Sequence, residues 1–143
     1  MSDTTPDRRG LRLTMRFDLR VPDFGPPAAE LYAAMLDQAV WAEAHGFDSV
    51  GLSEHHGSDD GYCPSPVVMA AAVAGRTSSI RILIAALVLP LYTPVRLAED
   101  LAVLDLASGG RVDLVIGAGY RPEEVAMYGL EMDAVRPRGG RPR

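Results

Sequence analysis

Residues 80–110 read IRILIAALVLPLYTPVRLAEDLAVLDLASGG, and this stretch decides the fold. Its first nine residues are almost all apolar, with β-branched side chains in the first half, which is typical of a strand buried on both faces of a parallel sheet. Thr93-Pro94 then predicts the start of a helix, and Gly109-Gly110 predicts its end. Between them the leucines at 97, 101 and 104 form one helical stripe. A strand followed by a helix is the repeating unit of an α/β protein.

The same unit occurs four times along the chain. Strands are predicted to start near residues 13, 48, 80 and 112, at intervals of about 31 to 35 residues. The matching helices are predicted at 29–45, 67–74, 95–107 and from Pro122, and no element is predicted beyond Asp133. This alternation requires a parallel sheet, which is either a small doubly wound sheet or half of a (β/α)8 barrel of about 250 residues. Periodicity alone leaves both architectures open.

Composition and charge narrow the class of protein. The 143 residues are 48% hydrophobic and 23% charged, which is typical of one globular domain. Because no apolar run approaches the roughly 20 residues of a membrane span and the N-terminus lacks a secretory signal core, we expect a cytoplasmic protein with no membrane partner. The net charge of -5 argues against nucleic acid as a partner. All 14 basic residues are arginines, which excludes a Schiff-base or phosphate-binding lysine.

The densest group of chemically active side chains follows the second predicted strand. Glu54, His55 and His56 put a carboxylate and two imidazoles at a strand end, where an imidazole exchanges protons near neutral pH. A solvated loop is the alternative interpretation. A metal-dependent hydrolase that uses both histidines and Asp59 is a further alternative, less favoured because neighbouring residues of an extended chain point to opposite sides. We therefore predict no metal ligands here.

A glycine-rich turn follows the fourth predicted strand. Gly117, Ala118 and Gly119 place backbone N–H groups where they would contact a phosphate. The dinucleotide-binding fingerprint requires a third glycine at position 122, where this chain has Pro122, so a Rossmann site is excluded. A tight turn without a ligand is the alternative interpretation.

Several short motifs stand in a characteristic order along the chain. They are AEAHGFDSV at 42–50, EHH at 54–56, LPLYTPVRLAED at 89–100, LD at 104–105, SGGR at 108–111 and GAGYRPEE at 117–124. Their order and spacing resemble the bacterial luciferase-like flavin-dependent monooxygenases, a family of (β/α)8 barrels that includes users of FMN and of the deazaflavin F420. The resemblance covers about residues 15–133. It implies the first half, about four βα units, of a TIM-type barrel.

The resemblance also implies roles for individual residues. His55 matches the active-site histidine beside the flavin, a candidate base, and Glu54 matches its carboxylate neighbour. Ala85-Ala86 falls where the family has a non-proline cis peptide against the flavin ring. Residues 117–120, which are Gly117, Ala118, Gly119 and Tyr120, match the loop at the flavin phosphate. Many relatives have an arginine at the position of Ala118, so phosphate binding falls to the backbone of this loop and to Arg121.

The resemblance divides the chain into three segments and predicts an activity. Residues 1–12 are an extension expected to be disordered, 13–133 a partial barrel, and 134–143 an Arg/Pro/Gly-rich tail of a truncated half. The predicted activity is oxygenation of a small organic substrate with O2 and reduced FMN from a separate reductase, or hydride transfer with F420. The alternatives are an inactive truncated product or a flavin-binding, dimerising half barrel. The expected partners are a second copy of the chain or a polypeptide that completes the barrel.

Overall fold

The computed structural model describes residues 10–135, which form one parallel sheet and its helices. The strands are β1 (Thr14–Phe17), β2 (Ser49–Leu52), β3 (Arg81–Val88) and β4 (Val112–Gly117). The helices are α1 (Ala28–Ala44), α2 (Pro66–Arg76), α3 (Pro94–Ser108), α4 (Pro122–Met127) and α5 (Met132–Val135). A short 3-10 turn over Leu89–Leu91 joins β3 to α3. Within residues 10–135, no helix has the length and apolar character needed to cross a membrane.

The predicted elements are found with small shifts at their ends. The first strand, predicted to start near residue 13, covers only Thr14–Phe17, and the backbone adopts a positive φ of 58° at Leu19 just beyond it. The prediction of no element beyond Asp133 was wrong, since α5 runs to Val135 and packs its apolar residues beside α4. The ends of the predicted extension and tail, residues 1–9 and 136–143, lie outside the described residues.

The sheet order separates the two architectures that periodicity left open. The four strands are parallel and lie in the order β1-β2-β3-β4. A doubly wound sheet reverses its order at a switch point, whereas right-handed crossovers in unbroken order place every helix on one face. The outward-pointing residues of the strands and the apolar stripes of α1, α2 and α3 accordingly share one core cluster. This is the arrangement of consecutive barrel units.

The opposite face of the sheet has no covering layer among residues 10–135. In barrel terms it is the inner face, and its side chains are exposed or half-buried. The register aligns Thr14 with Ser49 and Arg81, and Arg16 with Gly51, Leu83 and Asp113, while Ala85 pairs with Val115 one step higher. Half of a barrel thus carries a polar inner face.

Glycines with a positive φ lie at the ends of α1 and α3, and a residue followed by proline lies at the start of α2 and of α3. Gly46, which follows the C-cap residue of α1, has a φ of 75°, and Gly109, the C-cap residue of α3, has a φ of 70°. Glycine adopts these positive φ values without strain. Thr93 occupies the predicted cap position of α3, and Ser65 the corresponding position of α2, each before a proline, but their side chains make no capping hydrogen bond. The first turns are instead closed by their backbone carbonyls, which accept from Met69 and Leu97.

Two buried or partly buried charges fasten the connection between α2 and β3. Burial opposes ionisation of Glu43, but backbone N–H groups of Ile80, Ser79 and Ser78 donate to its carboxylate and lower its pKa to about 2. Arg111, which is buried, donates to five acceptors on this connection and on α3. These are the carbonyl oxygens of Ala74, Thr77, Ile80 and Ser108 and the hydroxyl of Thr77, at 2.6–3.1 Å.

Candidate active site

His55 and Glu124 form a hydrogen-bonded pair at the carboxyl ends of the strands. The loop after β2 carries the histidine, and the first turn of α4 carries the carboxylate. Nδ1 of His55 lies 2.7 Å from Oε1 of Glu124, whose side chain is only 2% exposed. Because a carboxylate only accepts hydrogen bonds, Nδ1 donates to Glu124, and Nε2 makes only a long contact, at 3.4 Å, with the Tyr120 hydroxyl. The His55 side chain is 20% exposed, so this nitrogen is available to a small molecule.

In a second pair, formed by His56 and Glu54, both ring nitrogens and both carboxylate oxygens make hydrogen bonds within the protein. Nε2 of His56 donates to Oε1 of Glu54 at 2.7 Å, and Nδ1 accepts from the hydroxyl of Tyr128 at 2.9 Å. The other oxygen of Glu54 accepts from the backbone N–H of Val88 at 2.8 Å. The carboxylate is 0% exposed. This pair ties the loop after β2 to the end of β3 and leaves no ring nitrogen for a ligand.

The structure shows which carboxylate each histidine contacts. Successive residues of an extended segment point to opposite sides, so Glu54 and His56 share one side while His55 turns to Glu124. Glu54 is therefore a residue that positions the loop, and Glu124 is the carboxylate that orients His55. The backbone N–H of His56 also donates to Glu124 at 3.2 Å, and this hydrogen bond links the two pairs.

Tyrosines surround both histidines. The Tyr120 hydroxyl lies 3.4 Å from Nε2 of His55, and the Tyr62 ring stands edge-on to the same imidazole with centroids 4.7 Å apart. Burial, together with the negative charge of Glu54, raises the pKa of Tyr92 well above its usual range. Burial and the charges of Glu54 and Glu124 likewise raise the pKa of Tyr128. These two hydroxyls therefore stay protonated and act as hydrogen-bond donors.

Small residues form a shelf beside these pairs, at the ends of β3 and β4. The Ala85-Ala86 peptide bond is cis, at the position that the resemblance indicated. A Cβ at Gly117 would stand 3.2 Å from the Cβ of Ala86, and a Cβ at Gly119 would stand 3.1 Å from Val88. Val115 and Ile116 leave apolar surface exposed beside them. The shelf thus consists of small residues and is partly apolar.

The loop after β4 offers a phosphate backbone amides but no free arginine. Ala118 is exposed and carries no polar atom in its side chain. The guanidinium of Arg121 lies 3.1 Å from Glu123 and 3.2 Å from Glu124 and is therefore already paired. Among the described residues, the N–H groups of 117–119 are what this loop presents to an anion. Tyr120 points its hydroxyl toward His55 rather than toward this turn.

A metal-dependent hydrolase would need a group of metal-ligating side chains, and residues 10–135 contain none. Within residues 10–135, no three side chains of His, Cys, Asp or Glu are grouped to hold a metal ion. His55 and His56 contact different carboxylates, and Asp59 is exposed. Cys63 is buried, and burial raises the pKa of its thiol, which suits a packing role.

The sequence interpretation missed three residues of this site. Glu124 was named only as the last residue of the motif at 117–124, although its side chain contacts His55 across 69 residues of chain. Tyr128 and Tyr92 were not predicted at all. The one available signal was the apolar context of α4, where a carboxylate followed by Val125 sits on the buried side.

Known proteins share this fold and these motifs. The family model described as luciferase-like monooxygenase matches residues 15–139. The alkanal monooxygenase alpha chain of Photorhabdus laumondii is 38% identical over 125 residues, which are 85% of this chain and 35% of that one. Monooxygenase RslO1 from Streptomyces bottropensis is 31% identical with a TM-score of 0.81, over 87% of this chain and 38% of that one.

A third relative was solved with a ligand. It is the oxygenating constituent of 3,6-diketocamphane monooxygenase from Pseudomonas putida, in complex with FMN, at 30% identity and a TM-score of 0.75. The match covers 84% of this chain and 33% of that one, so the chain spans about a third of the length of these relatives. The prediction of consecutive units from one half of a (β/α)8 barrel is confirmed. The chain belongs to the luciferase-like monooxygenase family.

Proposed function

We propose that this chain is the flavin-binding and proton-transferring part of a luciferase-like flavin-dependent monooxygenase, an oxidoreductase that oxygenates a small organic substrate with O2. The observation that carries the proposal is the His55–Glu124 pair, with Nε2 in only a long contact, beside the small-residue shelf of Ala85 and Ala86. The named relatives are monooxygenases, and one of them was solved with FMN. The shelf fits a flat ring because Gly117 removes the side chain that would fill it.

Each residue of the site has a distinct part in this function. Reduced FMN, when bound, supplies the electrons and the activation of O2. Ala85, Ala86 and Gly117 would receive the ring, and the backbone of 117–119 would contact the phosphate. His55 accepts or releases a proton at Nε2, while Glu124 holds the imidazole in the matching tautomer and orientation. Glu54 and His56 position the loop that carries His55.

We propose FMN as the cofactor, and coenzyme F420 is the alternative that was predicted from the sequence. Both place a flat ring on the same shelf, so ring geometry does not separate them. An FMN user of the oxygenase type works with a separate reductase, in keeping with a relative described as an oxygenating constituent. We place the finished enzyme in the cytoplasm, as predicted from the sequence.

The inner face of the sheet is open among residues 10–135, and in a complete barrel other units cover this face. It leaves Val115 49% exposed and Ile116 56% exposed, and the β1 and β4 edges have unpaired backbone groups within the described residues. We propose that further barrel units cover this face and exclude water from the site. Without them we expect flavin binding but little or no turnover, which matches the half-barrel alternative drawn from the sequence.

A second copy of the chain is the partner we propose for the outer groove between α2 and α3. Val68 and Val103 are 66–68% exposed there, although each is apolar. The rim carries Glu99 and an ion pair of Arg96 with Asp100 at 2.8 Å, so a two-fold axis would set groups of both charges against each other. Light scattering should give twice the 15.3 kDa of one chain. A monomer at high micromolar concentration would contradict the dimer.

Titration with FMN tests the proposed function. We expect saturable binding with a micromolar Kd, followed by the absorbance of the flavin itself. Gly117→Val should weaken it about 10-fold or more, because its Cβ would stand 3.2 Å from Ala86 and fill the shelf. Gly75→Ala is the matched control, since nothing lies within 4 Å of its added Cβ. A folded chain that binds neither FMN nor F420 would overturn the proposal.

A further inference from the structure

The inner face of the sheet is positively charged although the chain as a whole is acidic. Three arginines lie on this face: Arg12 before β1, Arg16 on β1 and Arg81 on β3. Among the strand residues that share the face, Asp113 on β4 is the one acidic residue. The full chain has a net charge of -5. A surface of opposite sign to the whole attracts anions locally.

Arg16 differs from Arg81 in having no acidic partner among residues 10–135. Arg81 and Asp113 form a two-point ion pair with Nη2 to Oδ1 at 2.6 Å, which neutralises both groups. The one hydrogen bond of the Arg16 side chain within residues 10–135 is a long one, 3.5 Å from Nη2 to the carbonyl oxygen of Ala85. No carboxylate of that part of the chain lies within 4 Å of its guanidinium. A guanidinium has five donors, so most of them are unused.

Gly51 determines where this guanidinium lies. Arg16 and Gly51 are directly paired across β1 and β2, and a Cβ at position 51 would stand 2.8 Å from Cγ of Arg16. The missing side chain lets Arg16 cross over β2 and reach Ala85 on β3. The cation therefore lies at the cis peptide, on the side of the sheet where the shelf is open.

We propose that Arg16 binds a delocalised anion of the small molecule that occupies this face, either a carboxylate of the substrate or the reduced flavin ring in its anionic form. The inference rests on the proposed function. Once further barrel units cover the face, an unpaired guanidinium there would be desolvated, which is costly unless an anion meets it. Its planar fork matches two oxygens or an oxygen and a nitrogen of a flat anion.

Anaerobic calorimetry on the full chain separates the two sources of the anion. The probes are oxidised and reduced riboflavin, which lack the phosphate, and benzoate with neutral benzamide. The variants are Arg16→Gln and the control Arg76→Gln, whose arginine is on α2 and pairs with Asp37. We expect Arg16→Gln to weaken reduced riboflavin or benzoate about 10-fold and to leave oxidised riboflavin and benzamide unchanged. The affected probe identifies the source.

Each other outcome is decisive. If Arg16→Gln binds both anionic probes as tightly as the unmodified chain does, the inference is wrong and flavin binding still supports the proposed function. An equal loss in Arg76→Gln would also overturn it, because the effect would then be one of total charge. If the unmodified chain binds no riboflavin in either redox state and no benzoate, the proposed function fails together with the inference.

Discussion

Replacing His55 with alanine is expected to lower turnover of the assembled enzyme by about 100-fold or more, the usual loss when an acid–base group is removed. The reason is the geometry of its two nitrogens. Glu124 fixes the proton on Nδ1 at 2.7 Å, which leaves Nε2 as the atom that exchanges protons with a bound molecule. The measurement is kcat at saturating substrate and flavin, with the pH profile recorded for both proteins.

His45 provides the matched control for this substitution. It stacks on Trp41 with ring centroids 3.9 Å apart, in the last turn of α1 and therefore at the opposite end of the sheet. His45→Ala should leave kcat within about two-fold, since it touches no group of the site. Glu124→Gln should lower kcat less than His55→Ala and shift the pH profile, because an amide orients the imidazole less strongly. Undiminished turnover of His55→Ala would remove this residue from the mechanism.

Arg111→Met is expected to lower the free energy of unfolding by about 3–5 kcal/mol, the range for leaving buried polar groups without their charged partner. The Arg111 guanidinium is buried and donates to four carbonyl oxygens and one hydroxyl. Methionine fills much of the volume but satisfies none of these acceptors. Because a domain is stable by only about 5–15 kcal/mol in total, the variant should unfold at a much lower urea concentration.

Arg76→Met is the control for Arg111→Met. Its guanidinium is half exposed and pairs with Asp37 on the surface, so its loss should change stability by no more than about 0.5 kcal/mol. Arg111→Lys should fall between the two, since an ammonium does not span the same acceptors. A loss below about 1 kcal/mol for Arg111→Met would show that the carbonyl groups find water instead.

Local patterns predicted most of the fold, and long-range contacts explain what they missed. The apolar run of β3 and the glycines after α1 and α3 act within a few residues, so their effects are visible in the sequence. Strand order is a relation between distant segments, and periodicity therefore left it open until the motifs indicated a barrel. The stabilising role of Arg111 was invisible for a related reason, because four of its acceptors are backbone carbonyls, which every residue has.

The candidate site shows the same division. His55 was predicted from its place at a strand end and from the EHH motif. Glu54 was predicted as its carboxylate neighbour, but the alternation of an extended chain sends the two side chains apart, and His55 contacts Glu124 instead. The pairing with Glu124 depends on how α4 packs back on the loop after β2, which no local pattern predicts.

The measurement that tests the central claim most directly is the location of bound FMN by NMR on the isotope-labelled chain. We expect the largest shift changes at the amides of Ala85, Ala86, Gly117 and Gly119 and at the His55 ring. The Trp41 indole, at the other end of the sheet, should not move. Saturable FMN binding with its shift changes confined to the α2–α3 groove would contradict a flavin site at the carboxyl ends of these strands.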